Sequence, residues 1–128
     1  MGLPRKAEPV DHGAAWVQQW LATTRWRRRV DGALARLDLT LVQWLVLDSL
    51  DAVFRQTQDP VSQVQVCRRL ELGKASVSRL MWHLARRGLI DSAPAFGSPE
   101  HRIYLTDEGA LLLEQGRAVV EMVSGSAR

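Results

Sequence analysis

The chain has 128 residues, of which 46% are hydrophobic and 24% are charged, and its formal net charge is +3. This length and composition predict one globular domain with its own core. No apolar run is long enough to span a bilayer, no secretory signal is recognisable, and a single cysteine excludes an internal disulfide. We therefore expect a cytoplasmic protein with no membrane segment.

The positive charge is concentrated in one part of the chain. Residues 61–88 carry six Lys or Arg and one Glu, whereas the segments on either side are close to neutral or slightly negative. An excess of cations on one structural unit is what attraction to nucleic-acid phosphates requires.

A flexible arm is predicted for residues 1–10, followed by one long helix over residues 11–36. A helix of ~25 residues is nearly 40 Å long at about 1.5 Å per residue. A domain this small cannot cover such a helix, so we expect a second chain to do so. Four arginines in residues 25–29 either contact phosphates or form a solvated helix face.

The next helix begins at Thr40, because Thr40 and Gln43 have the spacing of a capping box, and it ends before Pro60. Its broad apolar surface predicts a central place in the core. This surface is formed by Leu41, Trp44, Leu45, Leu47, Leu50 and Val53.

Residues 62–88 are predicted to form two helices joined by a tight turn. Ser62 and Gln65 make a second capping box, Gly73 supplies the turn, and Gly88 follows the second helix. Val64, Cys67 and Leu70 share one face of the first helix. The buried stripe of the second helix comprises Val77, Leu80, Met81 and Leu84, and its outer face carries Lys74, Ser76, Arg79, His83 and Arg86. Helix-turn-helix DNA readers have this arrangement.

A β-hairpin and a last helix complete the chain. The first strand begins at Leu89 and Ile90, residues 93–100 form a Pro- and Gly-containing loop, and residues 101–105 form the second strand. Thr106 caps a helix that runs to residue 123 and is apolar nearly all round, so we expect a second chain to bury it. Residues 124–128 are predicted as a tail.

The order of these elements resembles the MarR family of bacterial transcriptional regulators. The resemblance rests on Leu39-Thr40 with Gln43-Trp44 and Leu47, on the unit at 62–89, and on the segment at 105–109. It implies a mainly α fold with a small β-hairpin wing, a winged helix-turn-helix that dimerises through its N- and C-terminal helices. The domain spans residues 11–123, with dimerisation helices at 11–37 and 107–123, a DNA-binding core at 40–106 and the wing at 89–106.

The resemblance also implies a function. Family members are homodimers that bind pseudo-palindromic operators in double-stranded DNA, and most repress transcription until a small-molecule effector or oxidation releases them. The predicted DNA contacts are Ser62, Gln63, Lys74, Ala75, Ser76, Ser78, Arg79, His83, Arg86 and Arg102.

Several of these contacts have alternatives. Arg79 either pairs with guanine, contacts a phosphate or forms a salt bridge within the chain. Ser78 either contacts DNA or packs on the preceding helix. His83 either contacts DNA or is exposed to solvent without a contact. The wing departs from the family, since its near strand has no cation and only Arg102, with His101, supplies charge. Trp82, where relatives have a small or polar residue, stacks on DNA or a partner, or packs at the domain edge.

Three further interpretations concern ligands and chemistry. Trp16, Trp20 and Trp44 either line an effector cavity in the dimer or pack in the core and the interface. Cys67 is interpreted as a small buried hydrophobe, with a redox switch as the alternative. We recognise no enzyme signature, metal-ligand spacing or cofactor motif. The rival function is a winged-helix protein-interaction module that has lost specific DNA binding.

Overall fold

The computed structural model describes residues 13–94 and 101–126, and within them it contains five α-helices and one β-hairpin. The predicted fold class, mainly α with a winged helix-turn-helix, is confirmed. The elements are α1 (Ala15–Leu34), a 3-10 turn (Ala35–Leu37), α2 (Leu41–Thr57), α3 (Gln63–Leu70), α4 (Lys74–Arg86), β1 (Ile90–Pro94), β2 (His101–Leu105) and α5 (Asp107–Ser126).

The first helix is shorter than predicted. It begins at Ala15 and gives way to the 3-10 turn after Leu34. The chain then reverses at Asp38, whose φ of 57° lies in the left-handed region that non-glycine residues seldom adopt. A carboxylate oxygen of Asp31 accepts the Leu41 amide at 2.6 Å and so joins α1 to the start of α2. The predicted arm, residues 1–10, lies outside the described residues.

Both predicted capping boxes are confirmed. The Thr40 hydroxyl accepts the Gln43 amide at 3.1 Å, and the Gln43 side chain accepts the Thr40 amide at 3.0 Å. At the start of α3 the Gln65 amide donates to the Ser62 hydroxyl at 3.3 Å, and the Ser62 amide donates to the Gln65 side chain at 2.8 Å. Each box satisfies backbone donors that the first helical turn leaves without partners.

The turn between α3 and α4 differs from the prediction. Glu71, and not Gly73, takes the left-handed conformation, with φ of 53°. Gly73 has φ of −71° and serves as the N-cap residue of α4. A Schellman-like bond from the Leu72 amide to the Cys67 carbonyl at 3.1 Å closes α3 at Glu71, so the glycine is not needed for the reversal.

The core lies where α1, α2, α4 and α5 meet, and α2 contributes more buried residues than any other element. Its fully buried large side chains include Leu34, Leu47, Leu50, Leu84 and Leu113. The three residues predicted to share one face of α3 differ in burial: Val64 is exposed, whereas Cys67 and Leu70 are half-buried against the core. The buried residue of that helix is Val66. The predicted stripe of α4 is confirmed, with Val77, Met81 and Leu84 buried and Leu80 packed against them.

The hairpin forms the wing beside α4. The two strands are antiparallel, with Ile90 opposite Leu105 and Pro94 opposite His101. The strand pairing therefore includes Ala93 and Pro94, which were predicted to lie in the loop. A further backbone bridge between Val61 and Ile103 fastens β2 to the segment that precedes α3.

The last helix is also longer than predicted, because it continues through residues 124–126, which were expected to be tail. Its predicted cap is confirmed: the Thr106 hydroxyl accepts the Gly109 amide at 3.0 Å. Leu113 points into the core, whereas Leu111 and Met122 are exposed at 62% and 69%. The apolar surface of α5 is therefore only partly covered by the chain's own residues.

Candidate nucleic-acid interface

Backbone contacts at both ends fix α4 in place. At its start the Val77 amide donates to the Gly73 carbonyl at 3.1 Å. At its end Gly88 has φ of +73°, the left-handed cap that was predicted, and the Leu89 amide reaches back to the Leu84 carbonyl. The Thr106 hydroxyl donates to the Gly88 carbonyl at 2.6 Å, so the end of α4 is attached to the junction of the wing and α5.

The outer face of α4 is exposed and cationic. Its exposed residues are Lys74, Ala75, Ser76, Ser78, Arg79, Trp82, His83 and Arg86. Among residues 13–94 and 101–126, the ion pairs formed by arginines are those of Arg55 and Arg117, and none involves a cation of α4. The positive charge of this face is therefore not neutralised by a described carboxylate, and it is available to an anionic partner.

Gln63 connects the two helices of the helix-turn-helix. Its side-chain amide donates to the Ser78 hydroxyl at 2.6 Å and to the Lys74 carbonyl at 3.2 Å. This contact agrees with the alternative interpretation of Ser78 as a residue that packs on the preceding helix. It also means that Gln63 and Ser78 are held at the surface in one defined arrangement.

Ser62, one of the predicted DNA contacts, has a structural role in the cap of α3. Its side chain is buried, and both its hydroxyl and its amide are used in the capping box with Gln65. A buried cap residue has no free polar group to offer to a phosphate or a base. The DNA contact of Ser62 stays a prediction, because an N-terminal helix position is suitable for either role.

Trp82, His83 and Arg86 form a cluster on the outer face that the sequence reading did not identify. The guanidinium carbon of Arg86 lies 4.8 Å from the centre of the Trp82 ring, which is a cation–π geometry. The His83 ring meets the indole edge to face, with 5.0 Å between the ring centres. Trp82 is 55% exposed, and its two interpretations, stacking on DNA or a partner and packing at the domain edge, stay predictions.

Arg87, the residue after α4, was also not identified from the sequence. Its guanidinium donates to the carbonyl oxygens of Asp38 at 2.5 Å and Leu37 at 3.3 Å. These carbonyls end the 3-10 turn that follows α1. Arg87 therefore connects α4 to the end of the first helix, a contact between residues about fifty positions apart that no local pattern indicates.

The wing contributes one described cation. Arg102 lies on β2 opposite Ala93 and is half-buried. Asp91 and Ser92 of β1 border a groove of about 280 Å³ whose other side is formed by Trp82 and Ala85 of α4. The predicted wing tip at residues 95–100 lies outside the described part of the chain.

The three tryptophans predicted to line an effector cavity have different surroundings. Trp44 is in the core, where its indole nitrogen donates to the Leu113 carbonyl at 3.1 Å. Trp16 and Trp20 lie on α1 and are exposed at 77% and 68%. Core packing, the alternative interpretation, applies to Trp44. The cavity that Trp16 and Trp20 were predicted to line would lie in the dimer, and it stays a prediction.

The arginine cluster of α1 is exposed to solvent, and the single cysteine is half-buried. All four arginines within residues 25–29 are exposed, while Trp26 between them is half-buried and donates to the Ser124 hydroxyl at 2.9 Å. Cys67 is half-buried against the core.

In the described ranges no three His, Cys, Asp or Glu side chains are grouped so that they could hold a metal ion. None of the described helices combines the length and the apolarity that crossing a membrane requires.

Comparisons with known proteins agree with this geometry. Residues 37–95 match the sequence profile of the MarR family, while no curated protein sequence gives a significant match. The MepR–DNA complex of S. aureus superposes with a TM-score of 0.81 at 21% identity, over 91% of this chain and 82% of that chain. A MarR-family transcriptional regulator from Rhodococcus sp. RHA1 gives 0.80 at 19% identity, over 94% and 82%.

A third solved structure, a mutant MarR from E. coli complexed with operator DNA, gives a TM-score of 0.76 at 18% identity, over 93% of this chain and 84% of that chain. Likeness at these identities establishes the fold, and the sequence profile covers the helix-turn-helix and the first strand of the wing. Residues 37–95 thus resemble the MarR family in sequence, and the described residues have the winged helix-turn-helix fold of the solved MarR-family structures.

Proposed function

We propose that this chain is a transcriptional regulator that binds double-stranded DNA sequence-specifically through the outer face of α4. The observation that carries the proposal is the exposed, un-neutralised cationic face of that helix, with Lys74, Arg79 and Arg86 along it. A B-DNA major groove, about 12 Å wide, admits an α-helix. MepR of S. aureus and MarR of E. coli, which share the fold, have each been solved with DNA, and this supports the proposal.

The contacts divide by chemistry. Lys74 and Arg86 stand at the two ends of α4, where the phosphate backbones on either side of a groove come near, and we assign them to phosphates. Arg79 lies between them, and its fork of donors suits the O6 and N7 atoms of guanine. The smaller polar and apolar contacts come from Gln63, Ala75, Ser76, Ser78 and His83, and Arg102 is the candidate for the minor groove.

We further propose that the functional unit is a homodimer formed by α1 and α5. Trp16, Trp20, Leu111 and Met122 leave large apolar surfaces of these two helices in water, and an isologous interface would bury them in both copies. Two copies of α4 related by a two-fold axis suit a pseudo-palindromic operator. Light scattering that gives twice the 14.4 kDa mass of one chain is the expected result.

We propose in addition that the dimer represses bacterial genes from the cytoplasm and is released by a small-molecule effector. A reporter gene placed behind the operator is expected to be silent with the intact protein and active when Lys74 and Arg79 are both replaced by alanine. Increased expression with the intact protein would instead indicate an activator.

Gel shifts of genomic upstream DNA at several salt concentrations test the DNA-binding proposal directly. We expect a specific complex whose affinity falls steeply with salt, because bound cations release counterions from the DNA. Lys74→Ala should reduce the slope of log affinity against log salt by about two, roughly one for each copy of Lys74 in the proposed dimer. Arg55→Ala is the matched control, since Arg55 is an exposed cation of α2 paired with Asp51. Weak binding that does not respond to salt contradicts the proposal.

The rival function is a winged-helix protein-interaction module. The observation that favours it is the absence of a cation from β1 together with the 55% exposure of Trp82. Such a module would show no salt-dependent DNA complex, and its partner would be lost on Trp82→Ala but retained on Lys74→Ala. The same pair of variants therefore separates the two functions.

A further inference from the structure

We infer that Trp82 determines sequence specificity by placing its indole ring against the C5-methyl group of a thymine in the major groove. The inference rests on the proposed DNA-binding function and adds to it the base feature that this residue recognises.

Trp82 belongs to the outermost stripe of α4. Ala75, Arg79, Trp82 and Arg86 follow one another at intervals of four, three and four residues, so they form one line along the helix. At about 100° per residue, this line is roughly 160° from the direction of the buried residues Val77, Met81 and Leu84. A groove that receives the outer face of α4 therefore meets Trp82 together with Arg79 and Arg86.

Neighbouring side chains hold the indole ring in one orientation. The Arg86 guanidinium covers one ring face at 4.8 Å, and His83 abuts the ring at an interplanar angle of 79°. The groove of about 280 Å³ between α4 and the wing leaves space on the side toward Ser92. A ring supported in this way loses little conformational freedom on binding, which is the condition for a specific apolar contact.

The chemistry of the ring selects the base feature. An uncharged indole gains far less electrostatic binding free energy from a phosphate than the guanidinium of Arg79 or Arg86 does. Among the base edges of the major groove, the methyl group of thymine is the apolar feature, and apolar side chains are its usual contacts. Trp82 is the large apolar side chain of the outermost stripe, since Ala75 is small and lies near the start of the helix.

Removing only the thymine methyl tests the inference. The probe is the duplex that the wild-type protein selects from a random DNA pool, with each thymine replaced in turn by deoxyuridine. For wild type we expect one position per half-site at which this change weakens binding about fourfold, the effect of burying one methyl-sized group. Trp82→Ala, which removes the contact from both half-sites of the proposed dimer, should bind the unmodified duplex about sixteenfold more weakly than wild type and show no further loss with deoxyuridine.

Two controls isolate the contact. Arg79→Ala should bind more weakly but keep the full deoxyuridine effect, and Trp82→Phe should keep part of it. Thermal unfolding of Trp82→Ala should match wild type because the side chain is mostly exposed. Equal deoxyuridine effects in wild type and Trp82→Ala, or no sensitive thymine, overturn the inference and leave the proposed function standing. If the wild-type protein selects no duplex at all, both fail.

Discussion

Arg87 donates through Nη1 to the carbonyl oxygen of Asp38 at 2.5 Å, and through Nη2 to that of Leu37 at 3.3 Å. The two carbonyls lie at the C-terminal end of the helical segment that begins with α1, where backbone acceptors lack partners and a cation is favoured. The contact thus joins the end of α4 to the end of the proposed dimerisation helix. In the proposed DNA-bound dimer, the relative orientation of these two helices would set where each α4 meets DNA.

Replacing Arg87 by alanine should therefore destabilise the protein. We expect the free energy of unfolding to fall by about 1–2 kcal/mol, because charged hydrogen bonds are worth roughly 1.5–3 kcal/mol and this one is partly exposed. The neighbouring Arg86 is the matched control: Arg86→Ala should change stability by less than about 0.5 kcal/mol and weaken DNA binding instead. Urea denaturation measures both, and equal stability losses in the two variants would contradict the assignment.

Gly109 should not tolerate a side chain. A Cβ atom there would lie 1.9 Å from the Leu89 carbonyl oxygen, and this backbone atom cannot rotate away. Gly109→Ala is expected to cost about 3 kcal/mol, the upper end for overpacking, by pushing α5 away from the wing. Gly125→Ala, on the same helix with nothing within 4 Å, serves as the control and should leave the melting temperature unchanged or slightly higher. A stable Gly109→Ala variant would show that α5 shifts freely.

The hydroxyl of Ser49 is the buried polar side-chain atom without a hydrogen-bond partner in the described part of the chain. Burying an unpaired hydroxyl costs roughly 1–3 kcal/mol, so its removal should not harm the fold. We expect Ser49→Ala to be neutral or to stabilise the protein by up to about 1 kcal/mol, as measured by chemical denaturation. A loss of 1 kcal/mol or more would indicate that the hydroxyl has a partner, such as a buried water molecule.

Ser62 and Ser76 should respond in opposite ways to replacement by alanine. Ser62→Ala removes a helix cap and should lower the free energy of unfolding by about 1 kcal/mol, with DNA affinity unchanged at temperatures where the variant is folded. Ser76→Ala removes an exposed hydroxyl from the outer face of α4 and should weaken DNA binding while leaving stability intact. Thermal unfolding and gel shifts on both variants check this. A reduced DNA affinity of folded Ser62→Ala would indicate that Ser62 contacts DNA.

Features that depend on neighbouring residues were predictable from the sequence. The capping boxes at Thr40 and Ser62, the apolar stripe of α4 and the left-handed Gly88 each arise from groups within one or two turns of helix, so their spacing is visible in the chain itself. The concentration of positive charge on residues 61–88 is also a property of the sequence. Together these features determined the helix-turn-helix, the wing beside it and the family that they resemble.

The tertiary structure decided which of several locally acceptable options each residue adopts. Val66 and not Val64 is buried because of where α2 and β2 meet α3. Ser62 is buried as the cap of α3, Trp44 belongs to the core, and Arg87 binds carbonyls about fifty residues away. Trp82 lies on the outer face of α4 because burial of Val77, Met81 and Leu84 fixes the rotation of that helix about its axis. Each outcome depends on packing between segments that are distant in sequence. The free energy of that packing cannot be judged from any short stretch of sequence.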